Sequence, residues 1–174
     1  MHMRKERGLL LAVNAIITGL LIFFDQFTKY LALTKLKGEE AIVLIQGVLE
    51  LDYLENRGSA FGMFQNQKVF LLASGFVFLA FILYFMLKIP IEKKYLLIHL
   101  CLTGILAGGI GNMIDRFRFG FVVDFISFVL IHFPIFNVAD CYIVVSVILL
   151  MLEILFVLKD DDLSFLSFKK SKEE

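Results

Sequence analysis

The sequence is poor in the groups from which most catalytic and metal sites are built. It has two cysteines, Cys101 and Cys141, with no CxxC spacing. Of its histidines, neither His99 nor His132 stands with a serine as a nucleophile–base pair or with ligands at zinc spacing. A disulfide framework, a structural zinc site and a Ser–His hydrolase are therefore excluded; the cysteines and both histidines read as buried neutral residues. Charge is balanced, 17 basic against 17 acidic side chains, so nothing marks a nucleic-acid partner. No internal repeat or low-complexity tract is present. What the chain has in excess is apolar: 59% hydrophobic residues, 20 of them Phe, with a mean hydropathy of +0.84.

Four runs account for that excess, at about 9–27, 69–87, 95–114 and 138–158. Each is near the ~20 residues that cross ~30 Å of hydrocarbon as a helix, and backbone groups in lipid must be satisfied within their own segment. The chain is predicted to be a single membrane-embedded α-helical domain over 1–174, with no room for a large soluble domain. Basic residues concentrate before the first run (Arg4, Lys5, Arg7), between the second and third (Lys88, Lys93, Lys94) and after the fourth (Lys159, Lys169, Lys170, Lys172). By the positive-inside bias both termini are cytoplasmic and the two longer connections face outward. No small-residue cleavage motif follows the first run, which reads as a retained anchor.

The first outer connection is structured. AIVLI (41–45) and VLELDYL (48–54) are β-prone, the second alternating apolar with acidic residues, and Gly47 separates them. They predict a small extracytoplasmic sheet within about 36–64, with one greasy face toward the bilayer surface. NRGSAFG follows, its glycines placed where backbone bends or approaches something closely. The second outer connection contains FVVDFISFVLIHFPIF, apolar enough to tempt a fifth span. Asp124, His132 and Pro134 interrupt it, and a fifth span would export the Lys-rich C-terminus. It is expected to be an interfacial segment over 121–136.

Aspartates mark nearly every outer boundary: Asp25, Asp115, Asp124 and Asp140. In so apolar a chain each carboxylate must pair, sit at an interface or line a wet cavity. Residues three and four apart share a helix face, so Asp25, Thr28 and Lys29 group at the end of the first span. Asn112, Asp115 and Arg116 group at the end of the third, and Asn137 with Asp140 at the start of the fourth. Two carboxylates brought together share a proton; the ionised one can activate water and the protonated one can protonate a leaving amine. The plainer reading has Asp25–Lys29 and Asp115–Arg116 as ion pairs tying helix ends, Asp140 favoured by a helix dipole and Asn137 as an N-cap. Only Asp124, flanked by VV and FI, has no local partner. Glu153 falls about 140° round the helix from Asp140 and is expected to snorkel at the inner end.

DQFTK, NRGSAF, GNMIDR, VVDF and FNVAD, in this order along four spans, resemble the lipoprotein signal peptidases (signal peptidase II) over essentially the whole chain. The resemblance implies a multi-pass aspartic endopeptidase of the bacterial cytoplasmic membrane, with both termini cytoplasmic and its active site near the outer face. Such enzymes remove signal peptides from diacylglyceryl-modified prolipoproteins by cleaving before the lipidated cysteine. It implies Asp124 and Asp140 as the catalytic pair. Asn56, Asn112, Arg116 and Asn137 would serve substrate binding or the pair, with Asp25, Lys29, Gly58 and Asp115 as structural support. It further implies a β-cradle, a mobile loop over the site and inhibition by globomycin. Prolipoprotein substrates and membrane lipids are the expected partners, without metal, cofactor or nucleic acid, in a monomer.

Overall fold

A computed structural model describes residues 2–59, 63–159 and 161–163. Four helices are long and apolar enough to cross a membrane: α1 (His2–Lys35), α2 (Lys68–Lys88), α3 (Leu96–Phe119) and α4 (Val138–Phe156). The predicted runs locate all four, but α1 and α3 continue well beyond the apolar stretch at their C-terminal ends. Asp25 and Lys29 thus lie inside a helix rather than at its terminus. The extension is held by tertiary burial: Ala32 and Leu36 are buried against Phe121, Val123 and Phe125. Helices α1, α2 and α4 all pack on α3, the most deeply buried of the four.

Small residues let α4 approach α3 closely. A Cβ at Gly104 would overlap Ser146 Oγ, and one at Gly108 would overlap the Ala139 carbonyl and Ile143. Helix α3 ends where Gly120 adopts a left-handed φ of 83° and its N–H closes on the Arg116 carbonyl. Toward the end of the bundle away from the sheet, Ile82, Met86, Ile89, Tyr95, Ile98, Leu102 and Ile105 form a second apolar core.

The sheet is three-stranded and antiparallel: β1 (Ile42–Ile45), β2 (Leu49–Asn56) and β3 (Val122–Phe128), in that order. The first two strands fall within the β-prone segments 41–45 and 48–54, the second extending to Asn56. The third is a correction: Val122–Phe128, read from sequence as an interfacial segment, is a strand paired with β2 in a register that sets Leu54 opposite Asp124. Its unbroken hydrophobicity has a tertiary cause. Val123 and Phe125 pack on α1, while Val122 and Asp124 face the other way into the cavity described below. Covered on both faces, the strand loses the alternation that marks a half-exposed one. The remainder, including a short 3₁₀ turn at Val129–Ile131, connects β3 to α4, and no fifth span exists among the described residues.

Candidate active site

The four boundary aspartates converge at the end of the bundle that carries the sheet. Asp25, Asp115 and Asp124 are almost wholly buried. Asp140, in the first turn of α4, is half-buried and lines a cavity of about 780 Å³ together with Asp124, Asn56, Asn112 and Arg116. The cavity continues past apolar side chains of the 128–136 connection and of α4, among them Phe133, Phe136 and Val144.

The start of α4 explains Asp140. Asn137 is the N-cap: its Oδ1 accepts from Asp140 N at 3.1 Å, and its own N–H donates to Asp140 Oδ2 at 3.1 Å, forming a capping box. With Oδ1 committed to the cap, the Asn137 amide must turn its NH2 outward. It donates to Asp124 Oδ1 at 2.6 Å and to Asn112 Oδ1 at 3.1 Å. One asparagine therefore ends a helix and ties the two aspartates to one scaffold. Both readings of Asn137, the cap and the site residue, hold together.

Asn56 and Asn112 are locked in the same manner. Asn56 Oδ1 accepts from Gly58 N at 3.0 Å, which leaves its NH2 to donate to Asp124 Oδ2 at 2.9 Å. Asn112 Oδ1 accepts from Lys29 Nζ at 2.8 Å, and its NH2 donates to Asp140 Oδ1 at 2.8 Å. Each oxygen of the Asp124–Asp140 pair thus receives one N–H, from a donor whose orientation is fixed elsewhere. Burial pushes the Asp124 carboxyl up to about 6, helped by the Asp140 charge, against the two asparagine donors that lower it.

Of the two ion pairs expected at the helix ends, Asp25–Lys29 forms and Asp115–Arg116 does not. Asp115 binds Lys29 at 3.2 Å rather than Arg116, and Lys29 also binds Asp25 at 3.0 Å. Neighbours in a helix point about 100° apart, so Arg116 turns away from Asp115. It donates to the Gly58 carbonyl at 2.8 Å, while its buried Nε has no hydrogen-bond partner among the described residues. Gly58 therefore works through its backbone, giving its N–H to Asn56 and its carbonyl to Arg116. Asp25 Oδ1 accepts from Ala139 N at 3.0 Å, and Asp115 Oδ2 from Val123 N at 3.1 Å.

Gln26 escaped the sequence reading. Its amide donates to Asp25 at 3.2 Å, to Asp115 at 3.0 Å and to the Gly111 carbonyl at 3.3 Å; its place beside Asp25 in DQFTK was the available signal. Cys141 also lines the cavity. His132 is exposed in the connection between β3 and α4, with a left-handed φ of 49°, rather than buried. His99 is buried as expected, near the start of α3. Glu153 is only 8% exposed, tucked into the bundle rather than snorkelling. The NRGSAF stretch is described only as far as Ser59, so the implied covering loop lies partly outside the described residues.

Sequence comparison places this arrangement among known proteins. The profile of the family described as signal peptidase (SPase) II matches residues 17–156, a span that contains every site residue named above. The lipoprotein signal peptidase of Caldanaerobacter subterraneus subsp. tengcongensis is 45% identical over 136 residues, 78% of this chain and 90% of that protein. That of Clostridium tetani is 40% identical over 152 residues, 86% and 94% of the two chains. A bacterial membrane enzyme structure determined by the in meso method at 2.3 Å resolution superposes with a TM-score of 0.73 at 30% identity, over 94% of each chain. This multi-pass bacterial membrane protein belongs to the signal peptidase II family.

Proposed function

We propose that the protein is an aspartic endopeptidase that removes signal peptides from diacylglyceryl-modified prolipoproteins, with Asp124 and Asp140 as its catalytic pair. Relatives named lipoprotein signal peptidase supply the substrate class. One observation carries the chemistry: two carboxylates from different elements share one cavity, with every oxygen held by a fixed N–H donor. None of those donors can accept a proton, so the proton shared by the pair points into the space where a water molecule and a peptide carbonyl would sit. Asp124, more buried and with its carboxyl pushed up to about 6, is the partner that takes the shared proton, and holds it below about pH 6. Asp140 is the base.

In this reaction Asp140 takes a proton from water as the oxygen attacks the carbonyl carbon, and Asp124 donates to the carbonyl oxygen. The tetrahedral intermediate collapses when the proton held by Asp140 passes to the departing amine. The oxyanion is a neutral gem-diol hydroxyl at that stage and returns its proton to Asp124 on collapse. Arg116, whose charge sits beside the pair, and the asparagine amides bind and orient the substrate backbone. The apolar continuation of the cavity along α4 suits a greasy signal segment.

The concentration of basic residues in the termini and the 88–94 connection supports a cytoplasmic location for both termini and a site near the outer face. There the acyl chains of a lipidated cysteine would hold the scissile bond in reach. The deciding experiment is incubation of the purified, detergent-solubilised protein with a diacylglyceryl-modified precursor, with and without globomycin. Release of the signal peptide, stopped by globomycin, is expected. An intact precursor under conditions where a relative cleaves it would refute the assignment.

A further inference from the structure

Asp25, Lys29 and Asp115 take no part in the reaction as proposed, yet their contacts lead straight to the pair that does. Asp25 binds the backbone N–H of Ala139, and Asp115 binds that of Val123. Each of these amides belongs to the residue immediately before a member of the Asp140–Asp124 pair. Lys29 Nζ lies 3.0 Å from Asp25 Oδ2 and 3.2 Å from Asp115 Oδ2, and donates at 2.8 Å to Asn112 Oδ1. An ammonium has three hydrogens, and here it has three acceptors, on α1 and α3.

Two consequences follow from that geometry. The ammonium clamps the two carboxylates that grip the start of α4 and the start of β3, and so sets how far apart Asp140 and Asp124 are carried. It also fixes the polarity of the Asn112 amide. A flipped Asn112 would press its NH2 against the ammonium and its oxygen against the Asp140 carboxylate, which are two repulsive contacts. With Lys29 in place, Asp140 Oδ1 must receive an N–H. A buried cluster of ions adds little stability compared with apolar residues of similar volume, so stabilising the fold is a poor reason to keep one at 3% exposure or less. Resting on the assignment of Asp124 and Asp140 as the catalytic pair, we infer that Lys29 is a positioning residue. Through Asp25 and Asp115 it sets the spacing of the pair, and through Asn112 it keeps Asp140 an acceptor.

The test compares turnover with folding in two variants. Lys29→Met combined with Asp25→Asn removes one charge of each sign, so the net charge of the cluster is unchanged, and the new amide can still accept from Ala139 N. Displacement of reacting groups by about 1 Å costs on the order of 100-fold in rate. The double variant leaves the buried Asp115 without its ammonium, so its unfolding midpoint should fall; at a temperature where it remains folded it is expected to lose about that much in kcat on a diacylglyceryl-modified precursor, with KM close to wild type. Lys29→Arg is the second arm. The guanidinium keeps both ion pairs, but its broad planar fork cannot occupy a point shared by three acceptors, and it should lose kcat while the protein stays folded. Wild-type kcat in folded Lys29→Arg would overturn the inference. So would losses of kcat that merely track lost stability in both variants. Asp124→Asn, run alongside, separates this idea from the one beneath it. Turnover by that variant faults the catalytic pair itself, whereas an inactive Asp124→Asn beside fully active Lys29 variants faults only the positioning role.

Discussion

Replacing Asp124 by Asn should abolish cleavage while leaving the fold almost as stable as before, and the contacts of Asp124 give both halves of that expectation. Its Oδ1 and Oδ2 accept from Asn137 and Asn56 at 2.6 and 2.9 Å. An asparagine there can accept only one of these bonds and must turn its NH2 toward the other donor. One buried N–H is left unsatisfied, at a cost of about 1–3 kcal/mol. Against this, a carboxyl moved from 3.8 to about 6 pays for its ionisation at pH 7 by roughly 3 kcal/mol, and the amide escapes that penalty. The two nearly cancel. Loss of the general acid costs at least about 100-fold in rate, with KM unchanged because the cavity keeps its shape. Thermal unfolding and precursor cleavage, measured on the same purified sample, check both halves. Turnover within about 10-fold of wild type, or a folded state lost altogether, would refute the reasoning.

Further outcomes are expected. The raised Asp124 carboxyl holds its proton below pH of about 6 and loses it above, so kcat/KM should fall as pH rises through about 6; in kcat the same limb lies higher, because bound peptide excludes water. A pH–rate series on the precursor checks this, and a limb near 4 would contradict it. Asn137→Ala removes a cap worth ~1 kcal/mol along with the donor to Asp124; both the unfolding midpoint and turnover should drop. Gly108→Ala drives a methyl into the Ala139 carbonyl and Ile143, a clash worth roughly 1–3 kcal/mol. Gly19→Ala meets nothing within 4 Å and should be neutral or slightly stabilising in the same unfolding assay. Turnover should survive a metal chelator, since a carboxylate pair activates water by proton transfer alone; reversible loss on chelation would count against the pair.

The amino-acid sequence by itself determined the four spans, because crossing hydrocarbon demands both a length and a composition that no soluble helix needs. It also determined β1 and β2, whose alternation is local, and the motif order that carries the family resemblance. Within the site, Asn137 and Asp140 were legible together, because a capping box is a contact between residues three apart in the chain.

Tertiary structure alone decided the rest. Strand β3 looked like membrane or interface because α1 covers one face and the cavity the other, and burial on two faces erases periodicity. Asp115 is joined to Lys29, far away along the chain, rather than to its neighbour Arg116, since adjacency in a helix is not adjacency in space. Gln26, half-buried among three acceptors contributed by two helices, had no periodic signal at all. What brings Asp124 and Asp140 to one cavity is the close packing of α4 on the glycines of α3 and the register of β3 on β2. Both are contacts between distant segments, and no local pattern encodes such a distance.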